Sequence, residues 1–145
     1  MRPAQKGWHA LQRCNRGIAA LEFAVLAPAL LMLGFAVIVY SIYFAAMMGV
    51  RQAASEGARA AMAGLNTVER VDLAQTRATS VLDRYGSIIG SNPAPEITAA
   101  PISTGVFEVR VRYNIAAHPI MQVGFFIPLP DPQLEAAVVV TNGSY

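Results

Sequence analysis

The 145-residue sequence contains few charged residues and only one cysteine. Charged residues make up 14% of the chain, hydrophobic residues 54%, and the net charge is +2. Disordered chains combine high charge with low hydrophobicity, and soluble domains carry about 25% charged residues, so the composition favours a membrane-associated protein. The small net charge, without basic residues interleaved with aromatic ones, speaks against nucleic-acid binding. The lone cysteine, Cys14, excludes a disulfide within the chain, and we interpret it as a free thiol.

The sequence also lacks a set of residues that would support catalysis or metal binding. The two histidines, His9 and His118, are far apart, and neither a Ser/His/Asp arrangement nor a phosphate-binding glycine loop is present. We therefore expect no enzymatic activity, no cofactor, no metal and no small-molecule substrate.

A long apolar run lies near the N-terminus instead. Residues 23–50 are 28 consecutive residues without a formal charge, and about 20 apolar residues suffice to cross a bilayer as a helix. The basic residues that precede the run favour a cytoplasmic N-terminus, with the chain beyond about residue 45 on the other side. These basic residues are Arg2, Lys6, Arg13 and Arg16.

A cleaved secretory signal is the obvious alternative for this run. The apolar region of such a signal is about 7–15 residues long, so the run is about twice the usual length and anchoring is favoured. Tyr40 and Tyr43 fall near the far end of the run. They are either aromatic residues at the membrane interface or core residues of the following domain.

The apolar run is predicted to belong to one helix over residues 18–63. Pro28 should bend this helix or weaken one turn, and Gly64 suits its C-terminus. In residues 50–63 polar side chains recur at three- and four-residue spacing, which predicts an amphipathic stalk beyond the membrane. Small residues recur every fourth position, at Ala45, Gly49, Ala53, Gly57 and Ala61, and indicate either close helix–helix packing or simple alanine richness.

A second helix is predicted from Thr67 to Tyr85. Asn66 and Glu69 have the spacing of a capping box at its start, and Gly86 and Gly90 are expected to end it. Its apolar face is predicted to consist of Val71, Ala74, Ala78, Val81, Leu82 and Tyr85.

The C-terminal third changes to the pattern of a small antiparallel sheet, which makes the predicted fold class α+β. The predicted strands are Glu96–Ile102, Val106–Ile115 and Leu134–Thr141. The first is expected at an edge because it contains Pro101. The apolar loop from Pro119 to Pro132 is expected to cover the sheet, and a contact patch for a partner is the alternative.

The start of the apolar run has two unusual residues, Gly17 and Glu22. A carboxylate within the membrane costs about 2.5–3.5 kcal/mol at the bilayer centre and less near the interface, so Glu22 either reaches back to the headgroups or has a charged partner. Gly17 suggests a flexible, accessible bond before the helix. Cleavage there would make Ile18 the new N-terminus, and Glu22 of one chain could pair with the Ile18 amine of the next in a parallel bundle.

These residues resemble a known family. The stretch RGIAALEFAVLAP, residues 16–28, is similar to a class III signal peptide of the prepilin type, and more specifically resembles the TadE-like family of the bacterial tight-adherence (Flp pilus) system. The stretch RQAASEGARAA, residues 51–61, also resembles that family. The resemblance covers about residues 16–62.

The resemblance implies a minor pseudopilin that serves in assembly of an adhesive pilus. By this analogy a prepilin peptidase cleaves between Gly17 and Ile18, while Glu22, Phe23 and Pro28 serve recognition and assembly. The implied partners are the bilayer, the peptidase, other pilin-like subunits and the pilus assembly platform. The implied location is the bacterial inner membrane, with a periplasmic C-terminal domain and possible incorporation in a pilus. The chain is longer than main Flp pilins, which favours a minor subunit.

Three segments follow from this interpretation: a basic leader over residues 1–17, a membrane and stalk helix over 18–64, and a periplasmic domain over 65–145. Two other hypotheses stay open. One is an uncleaved, signal-anchored periplasmic module whose β-sheet binds a ligand; the other is a small secreted protein. The three differ in the mature N-terminus, which would be Ile18, Met1 or a residue beyond about 46.

Overall fold

The computed structural model describes residues 15–89, 93–124 and 127–141. It has the predicted α+β fold, with a long N-terminal apolar helix, a second helix and a three-stranded antiparallel sheet. The elements are α1 (Asn15–Ala61), α2 (Thr67–Ile89), β1 (Glu96–Ser103), β2 (Val106–Asn114), a 3₁₀ helix (Pro119–Val123) and β3 (Gln133–Thr141). They form two compact units, of which the first ends at Val37 and the second begins at Ile38. The division at residues 17 and 64 stays a prediction.

The first unit is helical throughout its described part. Helix α1 is already helical at Asn15, the first described residue, which is three residues before the predicted start. Pro28 lies inside the helix without ending it. The large apolar side chains of this unit are exposed and include Leu21, Val25, Leu26, Leu30, Leu31 and Leu33.

The second unit has a core between two helices and one face of the sheet. The part of α1 from Val39 onward buries one face, as the amphipathic pattern predicts, and α2 buries the predicted apolar face. The buried helix residues include Val50, Ala53, Ala54, Ala58 and Ala61 of α1 and Ala74, Ala78, Val81 and Leu82 of α2. Val71 and Tyr85, the other predicted members of that face, are half-buried and pack against the same core.

The small residues of α1 allow α2 to come close. A Cβ atom added at Gly57 would lie 3.0 Å from the carbonyl oxygen of Ala74, and 3.3 Å from both the Cβ of Ala78 and the Cγ1 of Val109. Any larger side chain would therefore press on the α2 backbone. The small-residue spacing does mark close helix packing, and the neighbouring helix belongs to the same chain.

The turn between the helices is held by the predicted capping box. The side-chain Oδ1 of Asn66 accepts a hydrogen bond from the backbone N–H of Glu69 at 2.9 Å. The carboxylate of Glu69 reaches back to the backbone N–H of Leu65, also at 2.9 Å. These bonds satisfy N–H groups that have no acceptor within a helix, and they fix the start of α2.

Replacing Asn66 by alanine should destabilise the second unit by about 1 kcal/mol, because the Glu69 N–H loses its acceptor. The measurement is urea unfolding of the full chain in detergent, followed by near-ultraviolet circular dichroism. Gln75→Ala, at an exposed position within α2, is the matched control and should change stability by less than about 0.5 kcal/mol. Equal effects of the two substitutions would show that the cap contributes nothing particular.

Helix α2 continues to Ile89, so the expectation that Gly86 ends it is wrong; Gly90 lies outside the described residues. A glycine within a helix costs about 1 kcal/mol relative to alanine. Contacts in the turn before Gly86 help to offset that cost, since Leu82 is buried and the Tyr85 hydroxyl donates a hydrogen bond of 2.7 Å to Oε1 of Gln52 on α1.

The sheet has the order β1-β2-β3, with every neighbouring pair antiparallel. The alternation along β2 is confirmed, because its buried residues are Phe107, Val109, Val111 and Tyr113. Strand β1 is an edge strand, as Pro101 predicts, and its register with β2 shifts between Pro101 and Ser103.

The outer face of the sheet is polar and carries ion pairs. Arg110 donates hydrogen bonds to Glu108 and to Glu135, each at 2.7 Å, and Arg112 donates one to Glu135 at 3.1 Å. The bond from Arg112 is the main cause that lowers the pKa of Glu135, and the bond to Glu108 is the main cause that raises the pKa of Arg110. Exposed ion pairs of this kind add little stability. Their charges make this face of the sheet suitable for contact with water.

The loop between β2 and β3 covers the end of the core, as expected. Ile120 and Met121 pack against the core, and Ile127 is buried. The hydroxyl of Tyr40 on α1 donates a hydrogen bond of 2.9 Å to the carbonyl oxygen of Pro128, and Tyr43 also packs against the core. Both tyrosines thus contribute to the packing of the second unit. Phe125 and Phe126 lie outside the described residues.

Candidate processing and membrane segment

The candidate functional site is the N-terminal part of α1, which contains Gly17, Ile18, Glu22, Phe23 and Pro28. The Gly17–Ile18 bond lies within α1, so this part of the chain is helical in the structure rather than an irregular segment before the helix. Its role as a processing site stays a prediction.

Gly17 is exposed, and an added Cβ atom would meet no atom within 4 Å. The packing of the described chain therefore does not require a glycine at this position. This differs from Gly57, where the close approach of α2 explains the small residue.

Ile18 and Glu22 lie on the same face of α1. They are four residues apart in a continuous helix, so their side chains are one turn apart. Both are exposed, and among the described residues Glu22 has no hydrogen bond or ion pair. The carboxylate of Glu22 is therefore exposed on the helix surface. It lies one turn from Ile18, which would acquire a free α-amino group on cleavage.

Phe23 and Pro28 lie on the same exposed stretch of helix. The side chain of Phe23 is 70% exposed, and Pro28 supplies no N–H, so the carbonyl of Ala24 has no helical donor. An exposed apolar surface of this extent on a helix is unfavourable in water and fits a bilayer or neighbouring apolar helices.

Among the described residues, one helix segment, Gly17–Ala61, is long and apolar enough to cross a membrane. Its most apolar 18-residue window has a mean hydropathy of 2.4, and 6% of that window is buried. A soluble core helix would be mostly buried, whereas this window is exposed to its surroundings. One N-terminal helix of this kind fits a single-pass membrane protein.

Two polar residues of the second unit, His118 and Asp131, have local structural contacts. Nδ1 of His118 accepts a hydrogen bond from the N–H of Ile120 at 3.3 Å and caps the 3₁₀ helix. Oδ1 of Asp131 accepts one from the N–H of Gln133 at 2.8 Å. The described part of the chain holds no group of three or more His, Cys, Asp or Glu side chains that could bind a metal. Cys14 and His9 lie outside it.

The contact between Tyr40 and Pro128 was not predicted from the sequence. The sequence indicates only that Tyr40 lies within an apolar run. The hydroxyl of a partly buried tyrosine in such a run needs a hydrogen-bond partner. The sequence does not say which of the distant carbonyl groups provides that partner. The contact joins α1 to the loop between β2 and β3.

Residues 17–59 match the family model described as TadE-like protein. The matched region begins at Gly17 and covers α1 almost to its end, while α2 and the sheet lie beyond it. The match covers less than half of the chain and is consistent with a TadE-like protein of the tight-adherence pilus system. No curated protein and no solved structure matches the chain.

Proposed function

We propose that this chain is a minor pseudopilin of a tight-adherence (Flp-type) pilus, cleaved between Gly17 and Ile18 by a prepilin peptidase. The TadE-like match carries the proposal, because it starts at Gly17 and includes Glu22 and the exposed apolar helix. The function is structural, without catalysis, cofactor or small-molecule substrate. The subunit works through its N-terminal helix, together with other pilin-like subunits and the assembly platform.

The proposed location is the bacterial inner membrane. The basic residues before Gly17 hold the N-terminus in the cytoplasm, α1 crosses the bilayer, and the sheet faces the periplasm. The polar outer face of the sheet, with its ion pairs around Glu135, suits an aqueous compartment.

Cleavage needs access to a bond that lies within helix α1. A peptidase would have to unwind the helix locally at this bond. Gly17 is exposed and places no side chain in the way. The structure therefore supports cleavage after local opening at the cytoplasmic membrane surface.

Assembly is proposed to depend on the new amine of Ile18 and the carboxylate of Glu22. The two groups lie four residues apart along one helix face, which is about 6 Å of axial rise. A parallel neighbour displaced by that distance brings its own Glu22 level with the amine. Such a pair in a medium of low dielectric is strong, and it would set the axial offset between subunits.

The test of the proposal is the mature N-terminus. Protein extracted from membranes is expected to begin at Ile18 when the prepilin peptidase is present and at Met1 when it is absent, as measured by intact mass and N-terminal sequencing. Gly17→Leu should leave the N-terminus at Met1 in both cases, because a large side chain then precedes the scissile bond.

Gly34→Leu is the matched control, because position 34 is also helical and also has open space around its Cβ. This variant should be cleaved as the unmodified chain is. A start at Met1 in cells with the peptidase would contradict the proposal and favour the uncleaved, signal-anchored periplasmic module. A start beyond residue 46 would favour the secreted protein.

A further inference from the structure

The outward-facing surface of α1 in the second unit changes from apolar to polar over a short distance. Phe44 and Met48 are 57% and 66% exposed, respectively. Arg51 and Gln52, which begin three residues after Met48, are also exposed. A charged side chain is costly in hydrocarbon, so the lipid boundary on this helix lies before Arg51.

The length of a membrane-spanning helix, counted from the N-terminal end of the apolar run, places the lipid boundary in a similar region of α1. About 20 residues cross the hydrocarbon core as a helix, so a span that starts at Phe23 ends at Ile42. Tyr40 and Tyr43 lie at this boundary, where aromatic side chains with a polar end are favoured. Packing of the second unit already starts at Val39, which is 4% exposed. The buried core of the second unit thus begins in the same stretch of α1 in which a span of this length would end.

The loop between β2 and β3 lies at this end of the unit. Near the membrane end of α1, Ala46 shares a core cluster with Tyr113, Ile115 and Leu134, which flank the loop. Near the other end of α1, Ala58 and Ala61 share a cluster with Phe107, which follows the turn between β1 and β2. The bond from Tyr40 to Pro128 places the loop beside the boundary residues.

The composition of the loop fits this position. No Asp, Glu, Lys or Arg occurs from Asn114 to Pro130. The exposed residues of the described loop include Pro119, Gln122 and Pro128, which are uncharged. The charged groups of the sheet lie instead on its outer face, in the ion pairs of Arg110 and Arg112.

We propose that the membrane-facing loop, defined as residues 119–124 and 127–130, rests in the headgroup region of the bilayer. Its uncharged surface contacts lipid beside α1, so the second unit is held against the membrane in one orientation. Contact of this kind does not depend on Coulomb attraction and therefore persists at high salt. The proposal rests on the membrane-span part of the proposed function and not on cleavage after Gly17.

The test uses the full chain with Cys14→Ser and one introduced cysteine, labelled with an environment-sensitive fluorophore and reconstituted in vesicles of phosphatidylcholine and phosphatidylglycerol. Gln122→Cys reports on the loop, Phe35→Cys on the span, and Thr104→Cys on the turn at the opposite end of the sheet. Nitroxide-labelled lipids are the quencher. We expect the labels at positions 122 and 35 to lose most of their emission and the label at 104 to lose little, at both 0.1 M and 1 M salt.

The outcomes separate the two proposals. A label at position 35 that is not quenched would overturn the membrane span and the proposed function with it. Quenching at 35 without quenching at 122 would overturn the membrane-facing loop and leave the proposed function intact. Equal quenching at 122 and 104 would also overturn the loop proposal, because the second unit would then have no single orientation on the membrane. Quenching at 122 that disappears in 1 M salt would overturn it as well, because Coulomb attraction would then hold the loop at the lipid.

Discussion

Gly57→Leu is expected to destabilise the second unit by about 3 kcal/mol, which lowers the denaturant concentration at which this unit unfolds. The Cβ atom alone would lie 3.0 Å from the carbonyl oxygen of Ala74, which is part of the α2 backbone and cannot rotate away. Overpacking in a core costs about 1–3 kcal/mol, and more when the backbone must move. Small domains have a free energy of unfolding of about 5–15 kcal/mol, so this substitution removes a large share of it.

Gly86→Leu is the matched control for this substitution. Gly86 also lies inside a helix, but its Cβ position is open, with no atom within 4 Å. The leucine should therefore leave stability unchanged or raise it by about 0.5–1 kcal/mol, since glycine is a poor helix former. Both variants are compared by limited proteolysis and near-ultraviolet circular dichroism in detergent, which report on the second unit. Unchanged stability of Gly57→Leu would show that α1 and α2 do not pack as described.

Glu22→Ala is expected to leave cleavage after Gly17 intact and to abolish incorporation into the pilus. The side chain of Glu22 is exposed in the described structure, so folding should be unaffected. In an assembled bundle the variant would leave the Ile18 amine without its partner in an apolar environment. Loss of one member of a buried ion pair costs about 3–5 kcal/mol, which corresponds to a loss of more than a hundredfold in association.

The measurement for Glu22→Ala is the yield of sheared pili and the amount of this subunit that is recovered with them, relative to its amount in the membrane. Glu22→Gln keeps the size of the side chain and should fail in the same way, because the charge is lost. Glu56→Gln removes a glutamate of the same helix that pairs with Arg77 in the second unit, and it should assemble normally. Normal assembly by Glu22→Ala would contradict the pairing and favour a glutamate that merely reaches the headgroups.

Periodicity explains why most elements could be predicted from the sequence. The alternation along β2 and the three- and four-residue spacing in α2 reflect which face is buried, and burial contributes most of the stability of each element. The differences at Ala61, which ends α1 two residues before the predicted end, and at Gly86 both concern helix ends. Local preference is weak at an end, and contacts such as that of Tyr85 with Gln52 can extend a helix through a glycine.

The role of the small residues in α1 could not be settled from the sequence. A four-residue spacing is the same whether the neighbouring helix lies in the same chain or in another. The distances around Gly57 assign it to α2 of the same chain. The candidate site differs from the small residues of α1. The sequence motif points to Gly17 and Glu22, and both are exposed in the structure of the single chain. Their proposed partners are separate molecules, so their roles stay predictions.

Helix α1 supplies both the candidate membrane segment and one side of the core in the second unit. Its residues from Val39 to Ala61 supply buried side chains, and α2 and the sheet follow it in the chain. A polypeptide that begins at residue 65 would expose the apolar faces of α2 and the sheet, so we expect it not to fold stably. If α1 crosses a membrane, folding of the second unit depends on insertion of this helix, and a chain that inserts wrongly presents unfolded sequence to the proteases that clear defective proteins.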